Sequence, residues 1–482
     1  MSTSKENQTK LLLIVGILVA SGLSVFLHYK ISAQRDEAAD AAKDHPTARA
    51  NRAMLEVERA TINRDYDRAR TMLAKARIAV DEAIAERPDN DKLARSRLVI
   101  IRRQAQIAQH LGDPKEASRL AREAVDVAAK IFRNNPTDER TRHDRITSAR
   151  EFAQASDDSM AAVEILRGAA VAVDDSTKFL PANGPVQSQL AGAWIDLAKR
   201  EAALKRAAHA LTAAKRAVEV AQAARKGQGD PISTASLAYD VVATATHLSD
   251  ELGQATAHES FQREAISLLE YRARLSTTDL VIPQALAARY GQLADLLSAQ
   301  DKKADARALH EKAIELTRPL MKSHPKNEEV RLAYVRTTNA LGAFYSNQKK
   351  DRKALGSYKT ALEAAKLLEK HGLRTRLITM GNYAQLLGRL DKIRPARRAA
   401  REAYAFAQKL TTAAPKDRRA QEDQASAGLR YARLLRATPS ANRRQARGIA
   451  RAERERLIMD AKPTKRQTAL RRGLDNLIKE LR

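Results

Sequence analysis

Pairs of helical segments recur along this chain, and the second segment of each pair carries small residues at the same offsets. The clearest instance is residues 338–365, TNALGAFYSNQKKDRKALGSYKTALEAA. Leu341, Gly342 and Tyr345 fall together on one helix face; after the turn at NQKKDR, Ala354, Tyr358 and Ala361 share another, spaced by four and three. Sliding that second trio along the chain finds Ala69–Leu73–Ala76, Ala117–Ala121–Ala124, Ala207–Leu211–Ala214, Ala306–His310–Ala313 and Ala396–Ala400–Ala403. Weaker copies stand at Ala161–Ile165–Gly168, Ala257–Phe261–Glu264 and Ala446–Ala450–Glu453. Successive first alanines lie 42 to 50 residues apart. Units of this kind do not gather around one central core: a helix pair buries its apolar face only against the next pair.

The breaks between units are short and polar. ERPDND (86–91), NNPTDE (134–139), LPANGP (180–185), KGQGDP (226–231), STTDLVIP (276–283), SHPKNE (323–328), KHG (370–372), AAPKD (413–417) and AKP (461–463) carry the Pro and Gly that end helices. Hydrophobic residues make up 44% of the chain but aromatics only 4%. Alanine, 91 residues, is the largest part of the difference, which suits helices packed closely through small side chains. With no cysteine, the chain has no disulfide, thiolate zinc site, iron–sulfur cluster or cysteine nucleophile, and the compartment stays open.

Leu-Gly-x-x-Tyr followed by Ala-x-x-x-Tyr-x-x-Ala resembles the tetratricopeptide repeat (TPR). The resemblance is best at 338–365 and extends over most of 48–461. The common TPR unit has about 34 residues; the longer units here are closer to kinesin-light-chain-like arrays. HEAT-like helix pairs have similar periods and stay open for the weak copies. The resemblance implies an all-α superhelical solenoid of about nine antiparallel helix pairs over 48–461, closed by a C-terminal capping helix over 462–482. Small residues at helix crossings would let the backbones approach. Trp194, the single tryptophan, corresponds to Leu341 and reads as core.

The chain opens differently. After a short tail, 1–10, the segment 11–29 is uncharged apart from His28, and 11–27 are all apolar or small. At ~1.5 Å per residue that nearly crosses a hydrocarbon core. A cleaved signal peptide would need a small-x-small site, but the nearest, Ile31–Ser32–Ala33, starts with a bulky residue. An uncleaved transmembrane anchor is therefore expected, followed by a juxtamembrane linker over 30–47. Gly16, Ala20 and Ser24 recur every four residues on one face, as in membrane helices that pack closely, so a homodimer is one arrangement to consider. Basic residues flank both ends almost equally, so the positive-inside rule leaves the orientation nearly undecided. The reading adopted is a single-pass protein of the bacterial inner membrane with its array on the periplasmic side.

Nothing in the sequence reads as catalytic. There is no Gly-rich phosphate loop, no HExxH and no nucleophile elbow, and the ten histidines are not spaced as metal ligands. The expectation is no enzyme, no cofactor and no metal. Binding remains. The groove that such arrays resemble would be lined by first helices, with Arg336, Asn339, Ser346 and Asn347 facing it, then Gln385 and Arg389 in the following unit and Arg102, Gln106 and Gln109 in the second. Amides and guanidiniums of this kind hold a peptide backbone or a carboxylate.

The net charge of +28 is uneven: residues 371–482 hold 28 Lys+Arg against 10 Asp+Glu. Arg394, Arg397 and Arg401, and again Arg444, Arg447 and Arg451, stand at equal offsets from the reference alanines; Arg352 and Lys359 fill two of the three in the preceding unit, and Arg398 and Arg454 extend the series. This basic surface suits an anionic lipid or polymer. Nucleic acid is less favoured because aromatics are sparse. The sequence thus points to a membrane-anchored scaffold or adaptor that binds protein or peptide partners through a solenoid groove. The alternative is a binder of an anionic polymer or nucleic acid through the C-terminal arginines.

Overall fold

A computed structural model describes residues 45–178, 184–226, 230–369, 371–436, 440–457 and 463–481. Among them lie nineteen α-helices and no strand. They run α1 (Pro46–Ile62), α2 (Tyr66–Glu86), α3 (Asp91–His110), α4 (Pro114–Asn134), α5 (Glu139–Ala155), α6 (Ser159–Thr177), α7 (Gly184–Ala203), α8 (Ala207–Lys226), α9 (Pro231–Glu251) and α10 (Ala255–Leu275). Then come α11 (Val281–Ala299), α12 (Lys303–Ser323), α13 (Glu328–Asn347), α14 (Asp351–Ala365), α15 (Leu373–Arg389), α16 (Ile393–Ala413), α17 (Arg418–Arg436), α18 (Ser440–Arg456) and α19 (Lys465–Glu480). Taken two by two they give nine pairs and a last single helix. The chain divides into two compact units, Met1–Ala223 and Ala224–Arg482.

One turn makes most of the pairs. Its middle residue takes the left-handed conformation: Arg64, Gly112, Lys205, Gly253, Asp301, Lys349 and Asp391, with φ between 57° and 75°. The next N–H then donates to the carbonyl five residues back, as in Asp65 to Ala60 (2.8 Å), Gln254 to Ser249 (2.8 Å) and Lys392 to Leu387 (2.9 Å). This closes the end of the first helix in the manner of a Schellman motif. The α5–α6 turn is different: Ser156 N–H donates to Phe152 O (2.9 Å) and Asp158 caps α6. Asp and Asn side chains start many of the helices, among them Asp65, Asn90, Asp113, Asp138, Asp230 and Asn327. Each accepts from N–H groups that the helix itself leaves unpaired.

The small residues mark the crossings, as expected at 338–365. Ala354 and Ala361 are wholly buried and Tyr358 almost so. Gly342 has no room for a side chain, because a Cβ there would lie 2.7 Å from Tyr358 Cδ1. The glycine of the first helix thus seats the aromatic ring of the second. In three pairs the register differs from the one read in the sequence. The buried trios are Ala162–Leu166–Ala169 and Ala210–Ala214–Ala217, not those starting at Ala161 and Ala207. In α10 the corresponding residues are His258, Gln262 and Ala265, and Ala257 and Glu264 are only half-buried. With this correction the first positions at 162, 210, 258, 306 and 354 are each 48 residues apart.

Within the first unit, the core passes from Val57, Leu73 and Ile100 to Leu98, Leu120 and Phe152. Within the second, one cluster runs from Ile266 through Tyr345 to Leu386, and another joins Leu429, Leu435, Leu474 and Leu477. Helix α19 has no partner of its own; it starts with a Thr464–Gln467 capping box and packs on α17 and α18. Trp194 is half-buried, with its indole N–H buried and without a hydrogen-bond partner. The expected anchor (11–29), with Gly16, Ala20 and Ser24, lies outside the described residues. No helix among the described residues is long and apolar enough to cross a membrane.

Candidate partner-binding surfaces

First helices of consecutive pairs touch directly: α5 with α7 in the first unit, and α11 with α13, α13 with α15, α15 with α17 and α17 with α19 in the second. Second helices show no comparable approach among the described residues. The first helices are therefore the tighter layer of each unit, and the candidate groove residues stand on them.

Much of this layer is closed by its own charges. Arg102 on α3 reaches Glu151 on α5 with two nitrogens, at 2.6 and 2.7 Å, and Gln106 Nε2 donates to the same carboxylate at 3.4 Å. Burial disfavours the Arg102 charge, but the hydrogen bonds and charge of Glu151 outweigh it and hold the pKa above the ordinary arginine value. Arg95 bonds Asp138 (2.5 Å) and approaches Asp144 (3.6 Å), whose own carboxyl is raised by burial against the pull of Arg102 and Arg95. Arg150 on α5 lies over Gly192 of α7, where a Cβ would come 2.9 Å from Nη1, and pairs with Asp196 at 2.8 Å. In the second unit, Asn382 donates to Asn339 (3.3 Å), and Arg389 reaches Ser346 (2.7 Å) and pairs with Asp351.

The sequence-derived groove residues thus separate into two groups. Arg102, Gln106, Asn339, Ser346 and Arg389 join one helix to the next. Gln109, Arg336, Asn347 and Gln385 are exposed on the same helices.

Several first-helix arginines without an ion pair reach neutral groups instead, as Arg145 does at Val125 O (3.3 Å) and Arg289 at Gln262 (3.3 Å). Among the described residues the half-buried Arg430 makes neither an ion pair nor a hydrogen bond, and the sequence reading missed it. Arg430 on α17 lies so close over Gly381 of α15 that a Cβ on the glycine would collide with Nη1. It resembles the Arg150–Gly192 seat, with a difference. One turn beyond Gly192 is the carboxylate of Asp196; one turn beyond Gly381 is Gln385. The nearby acid, Asp423, is taken: Arg374 Nε donates to it at 2.6 Å and Arg466 of α19 pairs with it, while Arg466 also approaches Glu422 at 3.3 Å. Burial, then the positive charge of Arg466, lower the Arg430 pKa from the ordinary arginine value. A small cavity adjoins it, about 50 Å³, lined by Leu377, Ile378, Ala403, Ala427 and Ser426 among others. The only sequence signal was Gly381 itself, a glycine inside a helix, which weakens the helix unless the space is needed.

The basic surface lies on second helices. Arg352 and Lys359 on α14, Arg394, Arg398 and Arg401 on α16, and Arg444, Arg451 and Arg454 on α18 are exposed; Arg397 and Arg447 are half-buried. Arg398 pairs with Glu402 at 3.1 Å and Arg454 with Asp475 at 2.5 Å.

A family model described as "Tetratricopeptide repeat" matches residues 286–325. The match falls on the α11–α12 pair, not on 338–365, where the motif is fullest. No curated protein matches the sequence. Among solved structures, the chain is similar to BtubC (BKLC) from P. vanneervenii, with 19% identity and a TM-score of 0.40 over 53% of this chain and 94% of that one. It is also similar to a Signal Transduction ATPase with Numerous Domains with a tetratricopeptide repeat sensor from Pyrococcus horikoshii, at 11% identity and a TM-score of 0.42, over 81% of this chain and 55% of that one. A third is a Podosopora anserina putative kinesin light chain of nearly identical TPR-like repeats, at 14% identity and a TM-score of 0.34, over 47% and 98%.

Proposed function

We propose that the chain is a membrane-anchored scaffold that holds a protein or peptide partner along its first helices. The match to a tetratricopeptide repeat supports an interaction role, since such repeats generally bind other proteins. One observation carries the reading further: among the described residues, the half-buried Arg430 makes neither an ion pair nor a hydrogen bond and stands beside an open cavity. A partner carboxylate would complete it with a charge-assisted hydrogen bond. The exposed Gln385 stands nearby in sequence terms, one turn beyond Gly381. The apolar segment 11–29 would hold the scaffold at the bilayer, with the array on the periplasmic side and catalysis, cofactor and metal having no part.

The test is site-specific photo-crosslinking in cells, with the probe at Gln385 on α15 and, as the control, at Gln445 on α18. The expected result is a discrete protein product from Gln385 that Arg430→Gln removes and Arg430→Lys partly keeps. Products of equal yield from both positions, or a Gln385 product indifferent to Arg430→Gln, would reject the groove. Fusing an exported-only reporter to the C-terminus tests the side of the membrane; activity of a cytoplasm-only reporter instead would reverse that assignment.

A further inference from the structure

Among the described residues, six arginines on two second helices make no ion pair. Arg394, Arg397 and Arg401 of α16 lie two before, one after and five after Ala396; Arg444, Arg447 and Arg451 of α18 have the same offsets from Ala446. Both alanines are wholly buried, so equal offsets put both triplets on matching faces. The ion pairs that described residues make on these helices are Arg398–Glu402, Arg454–Asp475 and Arg456–Glu453, and none uses the six.

Elsewhere the same offsets are used differently. On α2 they hold Asp67 and Arg70, paired at 2.9 Å; on α12 they hold Arg307 and Glu311, paired at 2.8 Å. Those are self-neutralised surfaces. On α16 and α18 all three places are arginine, and like charges three and four apart weaken a helix. The two helices are also tied together: Tyr404 Oη of α16 donates to the buried Glu453 of α18 at 2.6 Å. The two rows of charge therefore keep a fixed spacing.

The chemistry of this face is charge alone. None of the large hydrophobic residues exposed among the described ones lies on α16 or α18. Of the aromatics there, Tyr404 is engaged with Glu453, and Phe406 lies under the Arg376 guanidinium at 4.8 Å. Nothing on this face stacks on bases, which is what single-stranded nucleic acid asks for. Nothing wedges into hydrocarbon either. Two parallel rows of guanidiniums fit a broad layer of fixed negative charge that needs no register.

We propose that the α16–α18 face docks on the anionic headgroups of a lipid bilayer. This rests on the anchored reading above, because a tethered chain meets the bilayer at high effective concentration and a purely electrostatic contact then suffices.

The chain has no cysteine, so Gln445→Cys gives a single labelling site between the arginines of α18. The labelled full-length chain is added to neutral phosphatidylcholine vesicles, or to vesicles also containing phosphatidylglycerol, each with an acceptor dye on the headgroup. Energy transfer should rise with the anionic lipid and fall with added salt. Replacing one triplet, Arg444→Gln with Arg447→Gln and Arg451→Gln, should lower the docked-to-free ratio roughly a hundredfold, at about fivefold per basic residue. The same three changed to Lys should keep most of it, and helicity by circular dichroism checks that each variant folds. Equal transfer on both vesicles, or transfer indifferent to the Gln triplet, overturns the proposal. So does a DNA duplex that binds through these arginines while lipid composition has no effect, which would make nucleic acid the occupant. Flotation with neutral vesicles reads the anchor separately. A chain that stays in solution there, yet is recruited to anionic vesicles through the six arginines, would lose the anchor and keep the docking face.

Discussion

Adding one methyl group at Gly342 should destabilise the α13–α14 pair, although it improves the helix. Alanine is favoured over glycine inside a helix by about 1 kcal/mol. Against that gain stands the Tyr358 ring: the new Cβ would meet Cδ1 at 2.7 Å, Cε1 at 2.8 Å and Cγ at 3.2 Å. Ordinary contact needs about 3.5 Å or more, so the ring must retreat by most of an ångström. It has little space to do so, because Tyr358 is almost fully buried and Ala354 and Ala361 beside it are at zero exposure. Overpacking of this kind costs roughly 1–3 kcal/mol, which leaves a net loss at most values in that range. Gly356, on α14, provides the control: no atom lies within 4 Å of its would-be Cβ. Gly356→Ala should therefore collect the helix gain and stabilise by up to about 1 kcal/mol. Repeat arrays need not unfold in one step, so the assay is native-state hydrogen exchange of α13 and α14 amides. Faster exchange in Gly342→Ala and slower exchange in Gly356→Ala are expected. Equal protection gains in both variants would refute the reasoning, since they would mean the crossing has slack that the contact distances deny.

Further outcomes follow from other sites. Glu453 occupies a place where α2, α4 and α14 have Ala76, Ala124 and Ala361, yet it accepts from Tyr404 Oη (2.6 Å), Gln424 Nε2 (2.8 Å) and Arg456 (2.5 Å) while wholly buried. Glu453→Ala, which restores the repeat pattern, should lower the stability of α16–α18 by roughly 3 kcal/mol, read by denaturant unfolding; no loss would mean that the network is idle. His310 takes the place of Leu73 and Tyr358, and burial lowers its pKa to about 4 despite the Asp295 carboxylate at 3.6 Å. The unfolded chain protonates first, so this stability is complete above the ordinary histidine pKa and is lost as pH falls from there towards 4. Protection factors of α11–α14 amides, corrected for intrinsic exchange, should fall between pH 7 and 5 by about 2 kcal/mol of local stability, and His310→Leu should flatten that dependence. Gly112, at φ 75° with nothing within 4 Å, should tolerate Ala sterically but not conformationally. A thermal shift equivalent to about 1 kcal/mol is expected, and an unchanged melting temperature would contradict it.

The helix pairs were legible because their signals are local. Polar breaks rich in Pro, Asn and Asp stand where helices start and stop, and the trios of α2, α4, α12, α14, α16 and α18 are buried as their spacing suggests. The trios of α6, α8 and α10 were misplaced for a physical reason. In α8, AAHALTAAKRAVEVAQAARK, alanines satisfy several faces equally. The larger Leu211 drew the register to itself, whereas the close crossing selects Ala210, Ala214 and Ala217 and leaves Leu211 half-buried. The left-handed turn was legible at Gly112 and Gly253 but hidden at Arg64, Lys205, Asp301, Lys349 and Asp391, where the helix ends impose a conformation their side chains disfavour.

The candidate site was legible in outline. The sequence put polar groups on first helices and unmatched arginines on second helices, because helical periodicity fixes the face of each residue within its own helix. It did not show that Arg102 is taken by Glu151, that Arg389 is taken by Asp351, or that Arg430 above Gly381 makes no ion pair among the described residues. Those pairings join residues 49 and 38 positions apart. The sequence by itself determined a chain of paired, alanine-rich helices with a basic C-terminal end. The tertiary structure decided which charges neutralise one another, because a counter-ion is set by how one pair stacks on the next, and no period within a single helix carries that information.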